Sequence, residues 1–268
     1  MNYTLPHFAG NAGKPTNLSP TGVVALNANR DPQSTIIKPS FSTARNRTDL
    51  LAAFTLLQQR YRQAGLATDD QDSLRIMPYH FCSATQVFIA RTLKEVTGTV
   101  TLVGESEQPL PMFQAYPELA WKLKRSCGRI GEVTSLAISS HRSSKGEIFL
   151  GLTRLLTFFA RHHQLDHLVA IVHPRHAKFY RLAMGFEIIG DAKPCDSVGG
   201  SPGVAVVGSV NEKHRYRQPW RNVFFEGKFD QSCLAAKPMN DVHAKYFFSA
   251  NLDEQLTSGQ ENQPLNCC

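Results

Sequence analysis

At 268 residues, with 42% apolar and 19% charged side chains, the chain has the composition of an ordinary globular protein and lies outside the disordered and collagen-like classes. Its 29 basic against 22 acidic residues give a formal charge of +7, a field that attracts nucleic acid, anionic lipid, a phosphate-bearing coenzyme or an acidic carrier protein without choosing among them. The six cysteines form no CxxC pair and no regular spacing, so neither a metal site nor a disulfide framework is indicated and a cytoplasmic setting is expected; no stretch approaches the ~18 apolar residues that span a bilayer.

Residues 1–40, rich in Asn, Pro, Thr and Ser, read as a flexible arm, with a short strand expected at 35–38. Leu50, Phe54, Leu57 and Tyr61 recur at helical spacing and predict a first helix ending near Ala64, with Gly65 as its stop. Two β-like runs, 86–90 and 97–103, predict an antiparallel hairpin with its turn near Gly98. After Pro109 and Pro111, residues 116–125 read as a short helix. Residues 128–139 read as a strand that buries Val133, Leu136 and Ile138.

Ile148, Leu152, Leu155, Leu156 and Phe159 then form one apolar stripe, the mark of a long amphipathic helix. The fully apolar run 168–172 predicts a central strand covered on both faces, followed by a short helix that Gly185 ends. Residues 186–189 and 204–210 complete the sheet, with a loop expected at 199–203. From Asn211 the period fades, although Trp220, Phe224, Phe225, Tyr246 and Phe247 predict an extension packed on the core before a disordered tail. The expected organisation is therefore an arm (1–40), one α/β domain with a mixed central β-sheet flanked by helices (41–210), and a C-terminal extension (211–268).

The segment HPRHAKFYRLAMGFEIIG (173–190) resembles the FY-x-x-x-GF-E signature of GNAT acyltransferases, and the element order above is the one that fold requires. A narrower resemblance lies in TVTLVGESEQPLPM (99–112) and YPELAWKLKRSCGRIGEVTSLAI (116–138), which are similar to the N-acyl amino acid synthase family, GNAT relatives that acylate amino acids from acyl carrier protein. Acyl-homoserine-lactone synthases share the fold and carry a related Glu-x-Ser/Thr-Arg stretch, but Ser135 stands here where they have arginine.

The resemblance implies aminolysis of a thioester, which needs a neutral amine, donors for a tetrahedral oxyanion and a leaving thiolate. Glu132, at the start of the strand that binds pantetheine in GNAT folds, is the expected base, and Tyr180 the expected acid toward the thiolate; pairing of Glu132 with Arg129, and simple packing of Tyr180, are the structural alternatives. Backbone amides around Leu136 and Ile138 are expected to hold the pantetheine arm. Arg142, Lys145 and Gly146, just before the long helix, are expected to meet a phosphate. That loop departs from the usual GNAT spacing, since three residues separate Arg142 from Gly146 and Ile148 fills the last small position, which suits a single carrier phosphate better than the diphosphate of coenzyme A. His173, Arg175 and His176 cluster where a cation could hold an amino-acid carboxylate.

No permanently bound cofactor and no metal are expected, the acyl-phosphopantetheine thioester entering as co-substrate from acyl carrier protein or acyl-coenzyme A. An amino acid is the expected acceptor, nucleic acid is not an expected partner, and an amphiphilic product leaves room for transient membrane contact. Two alternatives stay open at this point: an acetyl-coenzyme A-dependent N-acetyltransferase, and a catalytically silent module in which HRYRQPW (214–220) stacks on single-stranded nucleic acid.

Overall fold

The computed structural model describes residues 38–67, 74–106, 108–139 and 145–258, with side chains to Ser249. The strand expected at 35–38 and the tail beyond Ser258 lie mostly outside these residues; the first observed strand is β1, Ser40–Thr43. Helix α1 (Arg47–Gln63) starts where the Asn46 side chain accepts the Asp49 N–H at 2.9 Å. Strands β2 (Thr85–Thr92) and β3 (Glu95–Gly104) form the expected hairpin, followed by α2 (Pro117–Ser126), β4 (Ile130–Ile138), α3 (Lys145–His162), β5 (His167–Val172) and α4 (Pro174–Met184). Then come β6 (Glu187–Ile188), β7 (Lys193–Cys195), β8 (Ser201–Ser209) and three helices, α5 (Trp220–Phe225), α6 (Gln231–Leu234) and α7 (Asp241–Ser258).

The sheet runs β1-β2-β3-β4-β5-β8-β6, with β7 on β8; β4 and β5 are parallel and the other pairs antiparallel. Alternation along the strands divides the core between two faces. On one face Phe88, Ala90, Val100, Leu102, Leu168, Ala170, Val204 and Val206 pack under α3 and α4. On the other, Val103, Ile130, Val169, Ala205 and Val207 pack with the α2 region, while Val87 and Ile89 meet α1. The α/β architecture with helices on both sides of a mixed sheet agrees with the sequence expectation.

Several local expectations are corrected. The hairpin turns at Leu93 and Lys94, Leu93 taking φ 57°, and Gly98 lies inside β3. A Cβ at Gly98 would stand 2.5 Å from Ile148 Cγ2 and 3.0 Å from Leu152, so the glycine serves the close approach of α3. Residues 201–203 belong to β8, drawn into extension by β7, whose three residues lack a readable period. In β4, Ile138 is buried but Val133 and Leu136 are only half-buried, because β4 loses its β5 neighbour beyond Glu132.

The extension packs on the core through buried Trp220, Phe224 and Phe247, the last edge-on to Phe54 at 5.4 Å; Tyr246 is instead exposed, lying under Arg47. In 214–220 the aromatic side chains are core residues: Tyr216 is buried against Phe224 and Phe225, and Trp220 against Phe179. Their faces are covered, which removes the stacking surface that a nucleic-acid reading of HRYRQPW needs. Among the described residues no helix is long and apolar enough to cross a membrane.

Candidate active site

The site is organised by one failure of pairing. β4 and β5 pair at Ile130↔His167, Gly131↔Leu168 and Glu132↔Val169, and there the ladder ends. Beyond it β4 stays on β3 as far as Ile138↔Gly98, and β5 stays on β8 as far as Val172↔Val204. The two parallel strands therefore part after Glu132, leaving backbone N–H and C=O groups along facing edges of a wedge. A bulge adds to the divergence: β4 advances three residues, Thr134 to Ala137, while β3 advances two, Thr101 to Thr99, and Ser135 takes φ 53° to absorb the extra residue.

Glu132 stands at the apex of this wedge. Its register partners Val103 and Val169 both belong to the α2-side core, so its carboxylate points to that face, where Oε2 accepts the backbone N–H of Met112 at 2.7 Å. That amide, rather than Arg129, is its hydrogen-bond partner. Only 2% of the residue is exposed. Burial pushes its acidity from an ordinary 4.5 up to about 8, against the smaller opposing effect of the Met112 hydrogen bond. A carboxyl poised there exchanges its proton near neutral pH, as a base for an ammonium must.

On the same face the turn Pro78–Phe81 brings two side chains to the strands. Tyr79 shares a 2.8 Å hydrogen bond with Ser135 Oγ and lies 3.5 Å from Thr134 Oγ1. His80 is buried, with Nδ1 accepting the Met77 N–H at 2.9 Å and Nε2 3.3 Å from Thr101 Oγ1. Since Nδ1 accepts, Nε2 carries the proton; burial, then the Arg75 charge, lowers the acidity constant to about 3 and keeps the ring neutral. Sequence reasoning missed Tyr79, His80 and Ser135. The readable signal was a polar aromatic pair beside Pro78 in a segment without period, but its target on β4 lies 55 or more residues away.

Tyr180 lies on the opposite face of the sheet. It packs on the α3-side core between Phe179 and Phe186, with ring centroids at 5.7 and 5.9 Å, and burial holds its hydroxyl well above the usual phenol range, hence protonated. Glu132 and Tyr180 thus lie on opposite sides of the sheet. Leu136 is half-buried and Ile138 buried, both on β4 past the apex. Lys145 and Gly146 form the first turn of α3, following β4 in the chain, while Arg142 lies outside the described residues.

The three basic residues after β5 do come together. His173 caps α4 by accepting the Arg175 N–H at 3.2 Å, and Arg175 Nε donates to His176 Nε2 at 3.1 Å. His173 and Arg175 are exposed, His176 is buried, and burial with the Arg175 and His173 charges lowers its acidity constant to about 4. Among the described residues no group of three His, Cys, Asp or Glu is placed to hold a metal.

A structure of FeeM, an N-acyl amino acid synthase from uncultured soil microbes, superposes with a TM-score of 0.59 at 22% identity, covering 67% of this chain and 95% of that one. The acyl-homoserine-lactone synthase LasI superposes with a TM-score of 0.55 at 16% identity, covering 72% of this chain and 96% of that one. None of the curated proteins matches the chain. The family model described as N-acyl amino acid synthase FeeM matches residues 52–208, a stretch that contains most of α1, the Tyr79 turn, both wedge strands and α4. The chain belongs to that family and is an N-acyltransferase of GNAT-like fold.

Proposed function

We propose that the protein transfers a medium or long acyl chain from an acyl carrier protein thioester to the amino group of an amino acid, giving an N-acyl amino acid. The observation that carries the reading is Glu132: a buried carboxyl, tuned to about 8, at the apex of a wedge lined by unpaired strand edges. Pantetheine is a chain of amides, and an exposed strand edge is what pairs with amides.

In this reading the acyl-pantetheine arm lies along β4, held by the backbone around Leu136 and Ile138, and its phosphate meets the start of α3 at Lys145 and Gly146. The acceptor enters from the α2 side as an ammonium. Glu132, once ionised, takes a proton from it, and the neutral nitrogen attacks the thioester carbonyl carbon. The carbonyl π electrons move to oxygen, where β4 amides stabilise the charge, and collapse expels the thiolate toward the Tyr180 hydroxyl on the opposite face. No covalent enzyme intermediate is involved. Arg175 supplies positive charge at the end of β5, its Nε donating to the neutral His176 and its backbone N–H to His173, and this cluster can face the carrier or the acceptor carboxylate.

The +7 net charge supports docking of an acidic carrier, and the departure of the sequence 142–148 from the usual GNAT spacing supports a single phosphate over a diphosphate. The described cysteines are free thiols, consistent with a cytoplasmic reaction. Mass spectrometry of lipid extracts tests the proposal directly. New acylated amino acids in cells expressing the protein, and not in cells expressing Glu132→Gln, are the expected result. Extracts identical to the empty-vector control, with soluble protein present, would overturn it.

A further inference from the structure

An α-amino acid carries its carboxylate one carbon from its amine. Whatever grips the carboxylate must therefore stand beside the base that takes the amine's proton. On the Glu132 face, Thr134 follows Glu132 by two residues, about 6–7 Å along the strand. Hydroxyls of Thr134, Ser135 and Tyr79 converge at that place, Tyr79 at 2.8 Å from Ser135 and 3.5 Å from Thr134. The distance suits an amino acid whose nitrogen meets Glu132 and whose carboxylate meets the hydroxyls.

The hydroxyl of Tyr79 is held firmly. Its backbone carbonyl accepts from Thr85 Oγ1 at 2.6 Å, and the neighbouring His80 is locked between the Met77 N–H, Thr101 and the Phe54 ring at 4.7 Å. Burial keeps the phenol protonated, and a protonated phenol donates to an anion.

A cation is also present. The Arg75 guanidinium lies over the Tyr61 ring at 4.5 Å, half-buried, and donates to the Ser197 carbonyl in the turn between β7 and β8. Its backbone N–H donates to the Phe54 carbonyl at 3.4 Å, and the Phe54 ring meets His80 at 4.7 Å, which places Arg75 on the acceptor side of the sheet. Arg91 pairs with Asp49 and Arg215 with Glu187 and Glu212, and among the described residues no carboxylate forms an ion pair with Arg75. A guanidinium carries more N–H donors than one carbonyl uses, in a fork that matches a carboxylate. The ring contact and the Ser197 bond fix its plane without satisfying its charge.

We infer that Arg75, Tyr79 and Ser135 form the subsite that binds the carboxylate of the acceptor amino acid, beside the Glu132 that takes the proton from its amine. This inference rests on the amino-acid reading above and moves the carboxylate from the Arg175 cluster, at the end of β5, to the α2 face. Ser135 gains a role from its bulged, left-handed backbone, which turns its hydroxyl toward Tyr79. The segment 74–81 and the turn 196–198 are tied together at this subsite by Arg75 itself.

The test uses the purified full chain, an acyl carrier protein thioester of a saturated medium-length acid, and two acceptor mixtures: the proteinogenic amino acids and their carboxamides, both well below saturation. The unmodified protein should favour the acids by about tenfold or more. Arg75→Ala should lose most of that preference by slowing the acids while sparing the amides, Arg75→Lys should recover part of it, and Tyr79→Phe should weaken it. Arg175→Ala should leave it intact. Should Arg75→Ala not fold, Arg75→Gln keeps donors without the charge and answers the same question. Equal slowing of acids and amides by Arg75→Ala, or loss of the preference in Arg175→Ala instead, overturns the subsite. A protein that acylates amides as readily as acids overturns it while leaving acyl transfer to amines standing. A protein that acylates neither mixture overturns the amino-acid acceptor and the subsite with it.

Discussion

The carboxylate of Glu132 and the backbone N–H of Met112 meet at 2.7 Å across 20 residues of chain, joining β4 to the turn that leads into α2. This one bond is too little to offset the burial that raises the acidity constant to about 8. Glu132→Gln retains the acceptor for Met112 and removes the proposed base. Acyl transfer should fall by about 10²–10⁴-fold, measured as kcat/KM with acyl carrier thioester and amino acid. In the unmodified protein kcat/KM should climb with pH and level off near 8, and the variant's residual rate should lose that limb.

The same burial sets a stability trend. In the folded state Glu132 holds its proton up to about pH 8, whereas unfolded it releases it near 4.5. The folded protein therefore binds more protons between these values, and this group's contribution to stability falls as pH rises through that window. Glu132→Gln should be more stable than the unmodified protein at pH 9 by an amount on the order of a few kcal/mol, with the difference vanishing near pH 4.5. Urea midpoints at the two pH values check it.

His80 has the opposite sign. Its ring stays neutral to about pH 3 in the fold and charges near 6.5 when unfolded, so the unfolded state binds more protons between those values. Stability should drop as pH falls below 6.5, by on the order of 2 kcal/mol from this residue at pH 5. His176, lowered to about 4, adds in the same direction. His80→Gln should flatten the acid limb of a Tm-against-pH curve at some cost in Tm near pH 7.

Tyr180 packs between Phe179 and Phe186 with its hydroxyl protonated. Thiolates leave well without a proton, so Tyr180→Phe, which keeps the ring, should reduce kcat by no more than about tenfold with KM and Tm nearly unchanged. A loss matching that of Glu132→Gln would show the proton to be required.

Gly98 has no room for a side chain. Its added Cβ would lie 2.5 Å from Ile148 Cγ2 under α3. Gly98→Ala should cost about 1–3 kcal/mol and lower Tm by roughly 3–10 °C, with α3 displaced from β3. A thermal melt of the variant reads this out.

The elements that depend on their own periodicity were legible in the chain. The stripe from Ile148 to Phe159 formed α3, the run 168–172 formed β5, and Gly185, at φ 68°, ended α4 as placed. The motif around 173–190 and the stretch 99–138 carried the family, because local turns and core plugs leave local signatures. Glu132 was nameable as a candidate for the same reason, standing at a recognisable strand start.

What the sequence by itself determined was thus the longer helices and strands up to residue 210, the family and the chemical types available to the site. Only the tertiary structure decided where the β4–β5 ladder stops, since pairing is a relation between strands and neither strand records it. It also decided that Ser135 bulges toward Tyr79 and that Arg75 crosses Tyr61 to reach the turn at Ser197, contacts that join residues 56 and 122 positions apart. Short elements such as β7 and the true turn at Leu93 escaped for a related reason: their conformation is imposed by the partner strand, and two or three residues hold too little pattern to show it.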